Sequence, residues 1–218
     1  METDLFSLFS RGGFLMYPIL ACSVIAVGII AERILRLREA SQGRARFLSE
    51  LGDIFTSGFN PAAALNLCER SPGILPQLAK VAILNRDRSP EELREAVEAE
   101  AARLLPALHK NLTLLGVIAQ ITPLLGLLGT VTGMISTFDT ITIFGSGQPK
   151  LMAGGISEAL LTTATGLVIA IPVLLIHSFL SSRSDKLVAD TERFSATLLN
   201  LLSQKPGKSA KNNDRQKQ

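Results

Sequence analysis

The sequence predicts an all-α integral membrane protein with three transmembrane helices and long helices extending into the cytoplasm. Three observations carry that reading. No charged residue occurs from Gly12 to Ala31, 20 residues, or from Asn111 to Phe138, 28 residues. Residues 151–182 form a third apolar stretch whose only ionisable groups are Glu158 and His177. A helix needs about 20 apolar residues to cross roughly 30 Å of hydrocarbon, so each stretch is long enough. No segment alternates apolar and polar residues as a half-buried strand does. The overall hydrophobic content of 47% is near that of a soluble domain, so distribution decides the class.

The elements follow in chain order. Residues 1–11 read as a short N-terminus with an amphipathic turn of Leu5, Phe6, Leu8 and Phe9. Residues 12–31 are the first span. A cleaved signal is disfavoured, because Glu2 and Asp4 outweigh Arg11 ahead of it. The apolar run also continues nine residues past Cys22, so nothing polar begins there. Residues 32–110 form a helical region. The first span's helix is expected to continue into the fifties, where Gly52 and Gly58 end it. Asn60-Pro61 starts a new helix, with an N-cap residue and then proline at the first helical position. Ser71-Pro72-Gly73 turns the chain into a helix over 73–86. Ser89-Pro90-Glu91-Glu92 is a capping-box start. From it the pattern Leu93, Val97, Leu104, Leu108, Leu112, Leu115 predicts one helix running into the second span, residues 111–138. Pro106 and Pro123 are expected to kink this helix without breaking it. Residues 139–150 are a loop and 151–182 the third span, kinked at Pro172. Residues 183–203 continue as helix. Residues 204–218, with five basic residues against Asp214, read as a disordered tail able to touch anionic lipid.

Orientation comes from Lys and Arg beside the spans. Arg33, Arg36, Arg38, Arg44 and Arg46 follow the first span, Arg103 and Lys110 precede the second, and Arg183, Lys186 and Arg193 follow the third. The other side has Arg11 and Lys150. The N-terminus and the 139–150 loop are therefore expected outside the cytoplasm, with 32–110 and the C-terminus inside. Cys22 falls in the first span and Cys68 in the region expected in the cytoplasm, so the two are not expected to pair. The net charge of +3 is small, and no basic patch is interleaved with aromatics, so nucleic acid is not an expected partner.

Glu158 is the residue with the clearest chemical meaning. A charged side chain at mid-bilayer costs about 2.5–3.5 kcal/mol on insertion scales, and such groups mark ion routes. The bland alternative is a carboxylate near the helix end that reaches the headgroups, since Glu158 lies eight residues past Lys150. On a helical wheel Glu158, Thr162, Thr165 and Ile169 share one face, and Thr163 points away. The second span contains Gly126, Gly129, Thr130, Gly133 and Thr137, of which 126, 130, 133 and 137 share a face at i, i+4, i+7 and i+11. Small residues let membrane helices approach closely. Packing and a hydroxyl-lined conduit explain that face equally well. His177 lies six residues before Arg183 and reads as an interfacial histidine. No phosphate loop, nucleophile elbow, zinc spacing or paired catalytic carboxylates appears. No catalytic residue, metal or cofactor is expected.

Two motifs carry a family resemblance. They are Ile121-Thr122-Pro123-Leu124-Leu125-Gly126-Leu127-Leu128-Gly129-Thr130-Val131-Thr132-Gly133 and Gly154-Gly155-Ile156-Ser157-Glu158-Ala159-Leu160-Leu161-Thr162-Thr163-Ala164-Thr165-Gly166, the second followed by Ala170-Ile171-Pro172. Together they resemble the ExbB/TolQ/MotA proton-channel family, most closely its ExbB and TolQ branches, over about residues 12–200. Three spans argue against the four-span flagellar branch. The resemblance implies a homopentamer in the bacterial inner membrane whose second and third spans line a pore. It implies a single-span partner of the ExbD or TolR kind within that pore. It also implies a TonB- or TolA-like protein driven by the proton motive force. The family's acid falls on Glu158 and its pore threonines on Thr130 and Thr163, with Thr162 and Thr165 as second choices from the wheel. Gly126, Gly129, Gly133 and Gly166 are expected to pack helices. A TolQ-like envelope-maintenance subunit, or a scaffold or secondary transporter without proton flux, is the alternative. Thr122, where the family often has alanine, and the short N-terminus blur the choice of branch.

Overall fold

The computed structural model describes residues 12–145 and 149–203. The expectations for residues 1–11, the basic tail from 204 onward and residues 146–148 lie outside the described residues. Among the described residues the chain forms eight helices and no strand: α1 (Met16–Ser41), α2 (Arg44–Thr56), α3 (Pro61–Arg70), α4 (Ile74–Leu84), α5 (Pro90–Leu104), α6 (Pro106–His109), α7 (Leu112–Phe144) and α8 (Pro149–Ser203). Three helical stretches, in α1, α7 and α8, are long and apolar enough to cross a membrane. The chain divides into two compact units. One takes residues up to 34 together with 111–181, and the other takes 35–110 together with the chain from 182.

The second unit is a small helical bundle with its own core. Phe47 and Leu51 of α2, Ala64 and Cys68 of α3, Leu75, Ala79, Ala82 and Ile83 of α4, Leu93 and Val97 of α5, and Leu198 of α8 are buried together. Local signals set the helix starts. The Asn60 side chain accepts from the N–H groups of Ala62 and Ala63, and Pro61 occupies the first turn. The Ser89 hydroxyl accepts from the Glu92 N–H, and the Glu92 carboxylate accepts from the Ser89 N–H at 3.0 Å. That bond to the Ser89 backbone holds the Glu92 carboxyl below the usual glutamate range. The Arg44 guanidinium donates to Asp190 at 2.8 Å, tying α2 to α8 and holding the Asp190 carboxyl below its usual range. Phe47 and Phe194 meet edge to face, with centroids 6.3 Å apart. Burial pushes the Cys68 thiol up to about 11.

Three boundaries differ from the sequence expectation. The helix after the first span is broken at Gln42-Gly43, because Gly43 takes a left-handed conformation (φ +69°) and α2 starts anew. The helix expected to run unbroken from residue 90 into the second span stops at Lys110. Lys110 is extended (ψ 137°) and Asn111 is left-handed (φ +62°). Asn tolerates that conformation better than most residues. Its amide donates to Glu32 at 2.9 Å, and Glu32 in turn pairs with the buried Arg33 at 2.8 Å. Pro106 starts the short α6 within this stretch. Finally, the expected 139–150 loop is largely helix. Residue Asp139 continues α7, and Thr140 and Thr142 donate to the carbonyls of Ser136 and Phe138. Gly145 (φ +71°) ends α7 with its N–H on the Ile141 carbonyl. Pro123 and Pro172 both lie inside continuous helices.

Candidate functional site in the membrane-spanning unit

The site is built on the seam between α7 and α8. Thr122, Gly126, Gly129, Gly133 and Thr137 of α7 are buried, at i, i+4, i+7, i+11 and i+15. A methyl group added at Gly126 would lie 3.0 Å from Thr163 Cα, and one at Gly133 would lie 2.7 Å from Ala159 Cβ. At Gly129 it would meet the Thr162 side chain, and at Gly166 the Thr122 carbonyl oxygen at 2.9 Å. The partners run in opposite sequence directions, so α7 and α8 are antiparallel here. Backbones this close leave no room for Cβ atoms, which is why the seam is glycine-rich. One hydroxyl crosses it: Thr163 donates to the Gly126 carbonyl at 2.6 Å. Such bonds between membrane helices contribute about 0.6 kcal/mol on average. Elsewhere along the same pair, His177 packs against Gly116, whose added Cβ would lie 3.0 Å from Nε2.

The observed buried face of α7 differs from the face read off the wheel. Gly129 occupies the seam and Thr130 turns off it, donating to the Leu127 carbonyl of its own helix at 2.7 Å. The physical reason is volume. Residues at i+3 and i+4 can both serve one helix face, and only the glycine admits the Thr162 side chain. Thr165 likewise bonds its own helix, to Leu161 O at 2.8 Å.

Glu158 lies beside the seam, at a cleft of about 320 Å³. Thr162, Gly12, Gly129, Thr132 and Ser136 are among its lining residues. Thr162 Oγ1 is 2.8 Å from the Glu158 carbonyl and 2.9 Å from the Gly12 carbonyl, so its single proton serves two acceptors. Glu158 Oε1 rests against Gly13, where an added Cβ would fall on it. The rest of the acid is exposed on the surface of the single chain. Thus Glu158 and Thr162 come together. Thr163 sits on the seam, tied to α7, while Thr130 and Thr165 bond within their own helices. Sequence reasoning missed Gly12, Gly13, Thr132 and Ser136. The i, i+4 spacing of Thr132 and Ser136 is legible. Their meeting with Glu158, and that of the glycine pair, is a long-range contact no local pattern encodes. Among the described residues no three His, Cys, Asp or Glu side chains are grouped as a metal site requires.

Chemically, the arrangement is a single carboxyl group flanked by hydroxyls and bare backbone in an apolar unit. Comparison with known proteins identifies the family. The model of the MotA/TolQ/ExbB proton channel family matches residues 50–193. The biopolymer transport protein exbB1 of Vibrio cholerae is 33% identical over 187 residues, covering 83% of this chain and 80% of that protein. A Synechocystis protein named as ExbB-like 3 is 30% identical over 167 residues, covering 75% and 79%. Among solved structures, MotAB of C. jejuni matches with a TM-score of 0.57 at 19% identity, covering 85% of this chain and 74% of that one, a likeness of fold. With the family model matching most of the chain and three helical stretches long and apolar enough to cross a membrane, this chain belongs to the MotA/TolQ/ExbB proton channel family.

Proposed function

We propose that the chain is the ExbB-like subunit of an inner-membrane complex that uses the proton motive force to drive a TonB-type protein. The work done is transport across the outer membrane. The observation that carries this reading is Glu158, placed with Thr162 at a hydroxyl-lined cleft beside a glycine seam. The relatives named as biopolymer transport proteins support the ExbB branch over the TolQ one. A proton falling through 100 mV yields about 2.3 kcal/mol, so several must pass to do mechanical work on a stable complex. Five copies are expected to enclose a single-span partner of the ExbD kind. The apolar faces of α7 and α8 (Leu124, Val131, Phe138, Leu160, Val168) are exposed on the single chain and available to lipid or to neighbours. The Lys and Arg pattern supports a periplasmic N-terminus and a cytoplasmic C-terminus. Thr130 and Thr163 are proposed to orient water or the partner's acid in the assembled ring.

The test is energy-dependent transport in cells whose only copy carries Glu158→Gln, with membrane level and partner co-purification checked. Glutamine keeps shape and hydrogen bonding and cannot ionise. Transport at background with normal assembly is expected. Wild-type transport would remove the acid from the mechanism and favour a scaffold without proton flux.

A further inference from the structure

The turn that leads into α1 is not part of either motif, yet it touches the acid. Gly13 has φ +69°, a conformation that favours glycine, and Glu158 Oε1 occupies the space an added Cβ would need. A Cβ there would clash with Oε1 and lie 2.9 Å from Cδ, so any larger residue at 13 requires the carboxyl group to move. The next residue back supplies a second tie, since Gly12 O accepts from Thr162 Oγ1 at 2.9 Å. Thr162 is buried and also reaches the Glu158 carbonyl. The acid's side chain is thus touched, and its helical turn hydrogen-bonded, by a segment about 150 positions away in sequence, the Thr162 to Gly12 bond spanning 150. The two glycines differ in kind. A Cβ at Gly12 would meet only the flexible Met16 side chain, which can swing aside, and the carbonyl it offers is common to every residue.

From this we infer that Gly13 is a positioning residue for Glu158, with the Gly12-Gly13 turn serving as a strap that sets the direction in which the carboxyl group faces. The inference rests on the reading of Glu158 as the functional acid, and it adds a third element, the entry to the first span, to a site otherwise made by α7 and α8. Displacing the carboxylate from its seat turns it toward the open side of the cleft. Shortening the acid by one methylene empties the space a Gly13 side chain needs.

The experiment uses the full chain with its partner in native membranes. Gly13→Ala is expected to lower energy-dependent transport and to raise labelling of Glu158 by a hydrophobic carbodiimide, read by mass spectrometry. Each effect should be at least about twofold, the low end of coupling between residues in contact. Gly28→Ala, farther along α1 where an added Cβ meets nothing within 4 Å, should leave both near wild type. Because Gly13→Ala also strains a left-handed residue, the deciding variant is Gly13→Ala with Glu158→Asp. It should transport at least about twofold better than the product of the two single losses. Losses that simply multiply would show that strain alone is at work and would overturn the inference. So would wild-type labelling in Gly13→Ala. If Glu158→Gln transports normally while Gly13→Ala still raises labelling, the proton-carrying reading falls and the strap stands.

Discussion

Thr162 and Thr163 are neighbours with opposite duties. Thr162 is buried against Gly129 and faces the acid, whereas Thr163 spends its proton on the Gly126 carbonyl of the other helix. The helical wheel separates them correctly, because a step of one residue turns about 100°. What the wheel could not supply is the partner of each, since that depends on which faces meet. Glu158 itself was legible, being a lone carboxyl group in an apolar stretch. Cys68 gives a prediction at this scale. Its thiol is raised to about 11 by burial, so at pH 8 about one part in a thousand is thiolate, the form that reacts. A maleimide should label it only after unfolding, as followed by mass spectrometry across a denaturant series. The sign for stability follows: the protonated thiol is favoured in the fold, so its contribution is complete below the ordinary value of 9.0 and is lost as pH climbs toward 11.

The α7–α8 seam is the element on which the site depends. Its glycine spacing was visible in the sequence, and its phase was not, because Gly129 and Thr130 both fit a helix face until the opposing side chain is known. The break at Lys110-Asn111 escaped for a similar reason. An apolar pattern continues through it, and the interaction that accompanies the break, Asn111 with Glu32, joins residues 79 apart. The capping box at Ser89, by contrast, is wholly local and was readable. Overpacking a fitted contact costs about 1–3 kcal/mol. Gly133→Val, which drives a side chain into Ala159 and the Gly155 carbonyl, should lose about that much. Gly154→Val, where a Cβ meets nothing within 4 Å, should lose little in the single chain. Thermal aggregation midpoints in detergent separate the two, and equal midpoints would count against the seam.

At the scale of the whole molecule, two units share one chain, one suited to the bilayer and one with a buried core of its own. That division was legible because charge avoids the spans and gathers beside them. Stoichiometry was not, since no pattern within one chain counts its neighbours. The proposed homopentamer predicts a five-copy mass in native mass spectrometry of the detergent-extracted complex, and a monomer in the partner's presence would refute it. The proposed orientation predicts that an impermeant thiol reagent on intact cells labels Lys150→Cys and not Gln42→Cys in a chain otherwise free of cysteine. The reverse would invert the topology. The central claim is that protons pass through this protein by way of Glu158. Purified complex with its single-span partner, reconstituted in vesicles carrying an internal pH dye and a potassium-valinomycin potential, measures that directly. The account predicts potential-driven acidification with the wild-type chain and background rates with Glu158→Gln at equal protein incorporation. Equal proton flux from the two would contradict it.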